Sequence, residues 1–338
     1  MREVEEQLRS EVVRLFAEGA IDLFLGYSSS RVPLRSAACV LHDADGVARL
    51  VWNRTCTPNL AALLRELLRS PPGATGDAPP RIGLLAKGCV SRSLVTLMKA
   101  NQISRESLLI IGVDCPGMID RHKVAARVGG EIAAAIWSGD DLAVRATGSG
   151  EHILSAEDVL LDDCRTCAHP SAVLSDRFLG EPRAPRRDAL DDPASSLTEA
   201  EPEERWSHFQ GEVARCIRCY ACREACPNCF CTECFADASD PRWIGVTTDE
   251  TDLALFHLGR AFHQAGRCVS CGACVSACPL GIDLRMLYEK VNGDVKVRFG
   301  TDVGTSLDEP EPLCRFALED DETFMTEPGK GGRGMGVR

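Results

Sequence analysis

This chain of 338 residues is short of positive charge. Lys and Arg number 38 against 50 Asp and Glu, for a net charge of -12. A surface of that sign disfavours binding nucleic acid through its phosphates. Aromatic residues are few, at 5%. Nowhere do about 18 apolar residues run together, so no membrane span is expected. The opening stretch, MREVEEQLRSEVVRLFAEGAIDLFLGY, is charged and amphipathic. It lacks the apolar core and cleavage site of a signal peptide, and a cytoplasmic location is expected.

Cysteine is abundant, with 18 in the chain. Cys216-Ile-Arg-Cys219-Tyr-Ala-Cys222-Arg-Glu-Ala-Cys226-Pro227 and Cys268-Val-Ser-Cys271-Gly-Ala-Cys274-Val-Ser-Ala-Cys278-Pro279 are two copies of one run. Each reads C-x2-C-x2-C-x3-C-P, the spacing by which bacterial ferredoxins hold a [4Fe-4S] cluster. In two-cluster ferredoxins the cysteine before proline ligates the other cluster. The expected sets are therefore Cys216, Cys219, Cys222 and Cys278 for one cluster, and Cys268, Cys271, Cys274 and Cys226 for the second. Two complete runs make coincidence or zinc a poor account, and the chain is expected to move electrons.

The length suits two or three domains. Apolar spacing predicts a helix over 1–19 and short strands at Ile21–Leu25, Ala38–His42 and Ala48–Trp52. A helix is expected over 57–69, with Thr57 as N-cap before Pro58. Ser70–Pro80 is rich in Pro and Gly and reads as a loop. Arg81–Leu85 and Leu108–Val113 read as buried strands flanking a helix from about Ser91 to Ala100, the pattern of an α/β unit. The polar, proline-containing segment 181–204 reads as a linker. The fold class expected is an α/β N-terminal domain (1–180), then the linker, then a mainly helical two-cluster ferredoxin-like domain (205–298). A helix at about 250–266 is expected between the two cysteine runs. From 299 an acidic, Gly-rich tail, mobile or partner-bound, completes the chain.

Cys89 and Cys115 each fall just after a strand. In a parallel sheet both turns lie at one edge, which brings the thiols together. Cys164-Arg-Thr-Cys167 is half a metal site, and with Cys89 and Cys115 it makes four thiolates. Those four suit a third [4Fe-4S] cluster or, alternatively, zinc. A redox dithiol at Cys164 and Cys167 is the weaker reading, because no thioredoxin-like sequence surrounds it. Cys229, Cys231 and Cys234 do not complete a cubane unless they recruit a fourth thiol such as Cys56; otherwise they are buried structural thiols. Cys39, Cys56 and Cys314 read as structural. His42, His122, His152 and His263 are scattered and read as surface or satisfied core side chains.

Two loops suit a flavin pyrophosphate. Lys87-Gly88-Cys89-Val90-Ser91-Arg92 leads into a helix, whose first N–H groups favour anions. Gly26-Tyr27-Ser28-Ser29-Ser30-Arg31 reads as a flexible, hydroxyl-rich loop ending in an arginine. Neither is the G-x-G-x-x-G fingerprint, and an ordinary strand-to-helix turn explains the first equally well.

Lys87-Gly88-Cys89 after a strand, Ile110-Ile111-Gly112-Val113-Asp114-Cys115 and the Cys164/Cys167 pair resemble the beta subunit of the coenzyme F-420-reducing hydrogenase and the related formate dehydrogenase beta subunits. The resemblance covers roughly residues 15–180. It implies Cys89, Cys115, Cys164 and Cys167 as ligands of a [4Fe-4S] cluster. It also implies FAD near Gly26, Tyr27, Arg31, Lys87, Gly88 and Arg92. The second half is similar to the helical ferredoxin modules of heterodisulfide reductase. Together these imply an iron-sulfur, flavin-containing electron-transfer subunit of a cytoplasmic oxidoreductase complex, with other subunits of a hydrogenase, formate dehydrogenase or heterodisulfide-reductase-like assembly as partners. The alternatives are a self-sufficient flavin-dependent reductase and a non-catalytic iron-sulfur sensor or structural subunit. No acid–base constellation stands out, so no catalytic residue is named.

Overall fold

The computed structural model describes residues 1–69, 80–185, 197 and 200–314. The expected loop at 70–80, most of the linker and the end of the acidic tail lie outside the described residues, Pro80 apart.

The first half is built on a five-stranded sheet. Helix α1 (Arg2–Ala17) buries Leu8, Val12 and Leu15, the helical spacing the sequence carries. Strands β1 (Leu23–Ser29) and β2 (Ser36–Leu41) form an antiparallel pair at one edge. Helix α2 (Leu60–Arg69) leads across to β3 (Ile82–Ala86), which is buried along its whole length. That run is apolar without alternation because a central parallel strand is covered on both faces. Helix α3 (Gly88–Lys99) returns to β4 (Leu108–Val113), parallel to β3. The chain then makes α4 (Arg121–Val128) and a separate antiparallel meander, β5 (Ile132–Ser138), β6 (Asp141–Ala146) and β7 (Gly150–Ser155), with a small core of its own around Val124, Leu142 and Val144. A short α5 (Asp162–Arg165) precedes β8 (Arg177–Leu179), which completes the sheet order β2-β1-β3-β4-β8.

The second half is helical: α6 (Pro202–Val213), α7 (Ala221–Glu224), α8 (Glu250–His263), α9 (Ala273–Ala277) and α10 (Arg285–Phe299). The cysteine repeat is also a repeat of backbone. Arg218 and Ser270 both have positive φ, at 53° and 50°; Tyr220 and Gly272 do too, at 60° and 67°. These pairs occupy the same places in the two runs, and Tyr220 and Gly272 each cap the start of a short helix, α7 and α9. The left-handed turns fold each C-x2-C-x2-C loop back on itself, so its three thiols share one concave side.

Three expectations are corrected. Ala48–Trp52 is not a strand: Ala44–Arg49 is a 3-10 helix capped by Asp43, and only Leu50 makes an isolated bridge, to Ser28. The segment is apolar because Leu50 and Trp52 sink into the core, at 0% and 2% exposure. Gly26 and Tyr27 lie inside β1 and not in a flexible loop. A side chain at 26 would meet Leu50 at 2.7 Å, so glycine is required by packing there. The tail does not begin at 299, since Thr301 and Val303 are buried. Both carbonyl-directed bonds of Arg92 to Val303, 2.6 and 2.8 Å, pin that segment to α3.

Candidate functional site

Twelve cysteines gather into three groups of four. Cys89 opens α3, Cys115 follows β4, and Cys164 and Cys167 flank the end of α5. Because β3 and β4 are parallel neighbours, the turns after them emerge at the same sheet edge. The four thiols line one cavity. Gly88 makes this possible: a Cβ there would fall 1.7 Å from the His169 carbonyl oxygen, so any side chain would push the Cys167 segment away from Cys89. Backbone N–H groups point at the sulfurs, among them that of Met118, 3.4 Å from Cys164 Sγ.

Cys268, Cys271 and Cys274 line a second cavity together with Cys226 from the other run. Cys216, Cys219, Cys222 and Cys278 form the third group: burial first, then the neighbouring thiols Cys278 and Cys219, raise the Cys216 thiol, and the Cys222 thiol is raised by burial and by Cys216, Cys278 and Cys219. Each run's last cysteine thus lies beside the first three of the other run.

Burial pushes the Cys115 thiol up to about 12, with Lys87 opposing and Cys89 adding. Cys268 rises to about 11, again through burial first. Such thiols keep their protons until a metal's positive charge replaces them. Among the described residues no three His, Cys, Asp or Glu side chains close on a single metal ion. Four thiols around a space match the donor chemistry of a [4Fe-4S] cluster.

The first two cavities are neighbours. Cys271, Ser270 and Asp163 border both, and the Cys89 thiol raises the pKa of Cys271. Asp163 is the wall between them. Burial raises its pKa to about 6 against the pull of Arg285, and its Oδ2 finds no hydrogen-bond partner.

The six residues expected around a flavin have separate roles. Lys87 is 2% exposed, and its ammonium donates to the carbonyls of Cys56 and Thr57 and lies 5.4 Å from the Tyr27 ring centroid. Gly88 shapes the cysteine cavity. Arg92 reaches away, to the carbonyls of Val303 and Val269. Gly26 and Tyr27 are buried in β1, while Arg31 is exposed. Two of the cations, Lys87 and Arg92, are thus engaged in holding the fold. A cavity of about 480 Å³ does open elsewhere between the two halves, lined by Arg35, Asn59, Leu63, Arg121 and, from α9, Ala273 and Ala277.

Cys56 is fully buried, 3.7 Å from Ser36 Oγ, inside the first core. Cys229, Cys231 and Cys234 line a different 480 Å³ cavity together with Arg65, Arg223 and Arg267. The Cys229 thiol hydrogen-bonds Cys226, which lowers the Cys226 pKa against its burial.

Sequence reasoning missed Asp163, His257, Arg260 and Gln264. The last three carry a signal: polar residues at i, i+3 and i+7 on the inner face and C-cap of α8, where the amphipathic pattern calls for apolar ones.

The chain contains a dicluster iron-sulfur module: residues 212–282 match the model of the 4Fe-4S dicluster domain family. This bears out iron-sulfur clusters in the C-terminal region. The chain is 31% identical over 97 residues to the F420-dependent formate dehydrogenase subunit beta of Methanocaldococcus jannaschii, covering 29% of this chain and 24% of that one. It is 32% identical over 99 residues to the F420-dependent formate dehydrogenase 1 subunit beta of Methanococcus maripaludis, covering 29% and 25%. The chain therefore spans about a quarter of the length of these relatives. Among solved structures it is similar to a chain of the F420-reducing [NiFe] hydrogenase complex from Methanosarcina barkeri, with a TM-score of 0.35 and 13% identity over 50% of this chain and 63% of that one. The resemblance noted in the sequence thus recurs in the relatives. Among the described residues no helix is long and apolar enough to cross a membrane.

Proposed function

We propose that this chain is an iron-sulfur electron-transfer subunit of an oxidoreductase complex, with three [4Fe-4S] sites in a row. Cys89, Cys115, Cys164 and Cys167 hold the first. Cys268, Cys271, Cys274 and Cys226 hold the second, and Cys216, Cys219, Cys222 and Cys278 the third. The observation that carries this reading is the shared wall of Cys271, Ser270 and Asp163 between the first two cavities. It joins the α/β half to the dicluster module without a gap. A [4Fe-4S] cluster, when bound, takes up and passes on one electron at a time.

The chain's own contribution is to supply thiolates, aim N–H groups at them and exclude water. Backbone N–H groups at Met118 and Arg218 approach Cys164 and Cys216 at 3.4 and 3.3 Å. Such bonds stabilise negative charge on sulfur and tune potential. All 18 cysteines are free, which suits a reducing, cytoplasmic compartment.

FAD enters through the resemblance. The cavity between the halves, with its Arg35 and Arg121 and its apolar walls, is the site we assign to it. A flavin, when bound, exchanges electron pairs with a hydride carrier. The relatives' names point to partner subunits of a formate dehydrogenase type and to dependence on F420.

Iron, sulfide, zinc and flavin per chain, measured on anaerobically purified protein, test the proposal. About twelve irons with one flavin is the expected result. About eight irons with zinc in the first site overturns the three-site reading and leaves a two-cluster wire.

A further inference from the structure

Helix α8 joins the two cysteine runs and passes between their sites. Its inner face is polar. His257, Arg260 and Gln264 are 2%, 3% and 3% exposed. His257 Nε2 lies 3.4 Å from Cys216 Sγ. Gln264 Nε2 donates to the Asn228 carbonyl at 3.2 Å and lies 3.5 Å from Cys229 Sγ. Arg260 stands between them. One guanidinium nitrogen donates to the Cys222 carbonyl at 2.8 Å and the other to the Tyr288 hydroxyl, while Nε has no partner.

A buried guanidinium in this position is costly, and stability alone does not call for it. Its surroundings are unusual. Cys222 accepts its hydrogen bond, and Cys226 and Cys274 line the same cavity as Arg260 and Tyr288. These three cysteines are drawn from both groups of the dicluster module: Cys222 from one, Cys226 and Cys274 from the other. The side chain also borders the cavity of the second group.

We infer that Arg260 is a positioning residue that raises the reduction potentials of both clusters of the dicluster module. The inference rests on the cluster assignment proposed above. One electron entering either site adds negative charge and neither forms nor breaks a bond. A fixed cation in a medium of low dielectric stabilises that added charge far more than it would in water. Because one side chain faces both groups, the two potentials are set together. An arginine keeps its proton at every physiological pH, so the effect is independent of pH.

The test is an EPR-monitored redox titration with dithionite on the full-length protein and its Arg260→Met, Arg260→Gln and Arg260→Lys variants. Iron and sulfide per chain are measured first. With iron retained, both dicluster signals should shift to lower potential in the Met and Gln variants. Lys should restore part of the shift. The displacement should be the same at about pH 6 and about pH 9. Potentials unchanged in Met and Gln variants that keep their iron overturn the inference. So does loss of iron in both while Lys keeps it, because the role is then assembly and not potential. Failure of the underlying assignment reads differently: the parent protein itself would lack eight dicluster irons.

Discussion

Cys271 belongs to two neighbourhoods at once, facing Cys226 and Cys274 on one side and Cys89 on the other. Replacing it with Ser should cost about four irons from the dicluster module. Cys164→Ser should remove iron from the α/β half and leave the dicluster EPR signals intact. Unchanged iron in a folded Cys271→Ser variant would sink the assignment. Cys56 makes the contrast. Burial raises its thiol to about 11, so it remains protonated at neutral pH and is a packing residue. At pH about 8 only about a thousandth of it is thiolate. Peptide mapping after brief alkylation of the intact protein should find exposed Cys314 modified and Cys56 untouched. The cysteine spacings made the grouping of the thiols readable in advance, because a covalent pattern of short loops fixes which thiols can converge. Arg260 and Asp163 were not readable. Asp163 carries no local mark of burial, and the polar spacing that includes Arg260 acquires its meaning only when the partner helices and cysteine loops close around it.

Among the elements, α3 is the one whose first turn decides whether a site forms. Gly88→Ala places a methyl against the His169 carbonyl, where no flexible side chain can yield. We expect a destabilisation of about 1–3 kcal/mol, typical of overpacking. Iron from the Cys89 group should be lost while dicluster iron remains, as read by thermal unfolding and metal analysis. Alanine tolerated with full iron would show that the segment shifts freely. Strong period signals made β3, β4, α1 and α3 legible, since buried strands and amphipathic helices leave regular apolar patterns. The pattern misled at Ala48–Trp52, where an irregular segment is apolar merely because it plugs the core. It misled again at Gly26–Tyr27, where a glycine needed for close packing looked like a flexible one. The α8 helix was expected to about 266 and ends at His263, with Asp249 capping its start.

At the scale of the whole molecule, the two halves are clasped by a few buried polar contacts. Arg92 on α3 holds Val269 and Val303, and Thr96 on the same helix meets Asn228 at 2.9 Å. Arg92→Ala removes charge-assisted bonds worth about 1.5–3 kcal/mol each at most. It should slow electron passage between the first site and the dicluster module, measured by rapid mixing with a reductant; an unaltered rate would mean the clasp is not what aligns them. Asp302 adds a pH-dependent part. His169 and then Arg92 hold its carboxyl at about 2, with burial opposing, against an ordinary value of 3.8. A carboxyl lowered on folding stabilises the protein above its ordinary pKa, and that contribution fades as pH falls towards the folded value. Asp302→Asn should therefore lower the Tm by a constant amount at neutral and alkaline pH, with the gap to the parent closing only as the pH drops from about 4 to about 2. A gap that varied between neutral and alkaline pH would assign it to another group. This clasp was invisible in the sequence, where the segment after 299 resembled a loose acidic tail.

The crossing of Cys226 and Cys278 between the two runs has a consequence for how the protein is made. A ribosome delivers Cys216, Cys219 and Cys222 first, but their fourth companion arrives only with residue 278. By then the whole of the second loop has been synthesised. On the ligand sets proposed above, neither half of the module is filled while the other is missing, so iron delivery is expected to wait until translation has passed both runs.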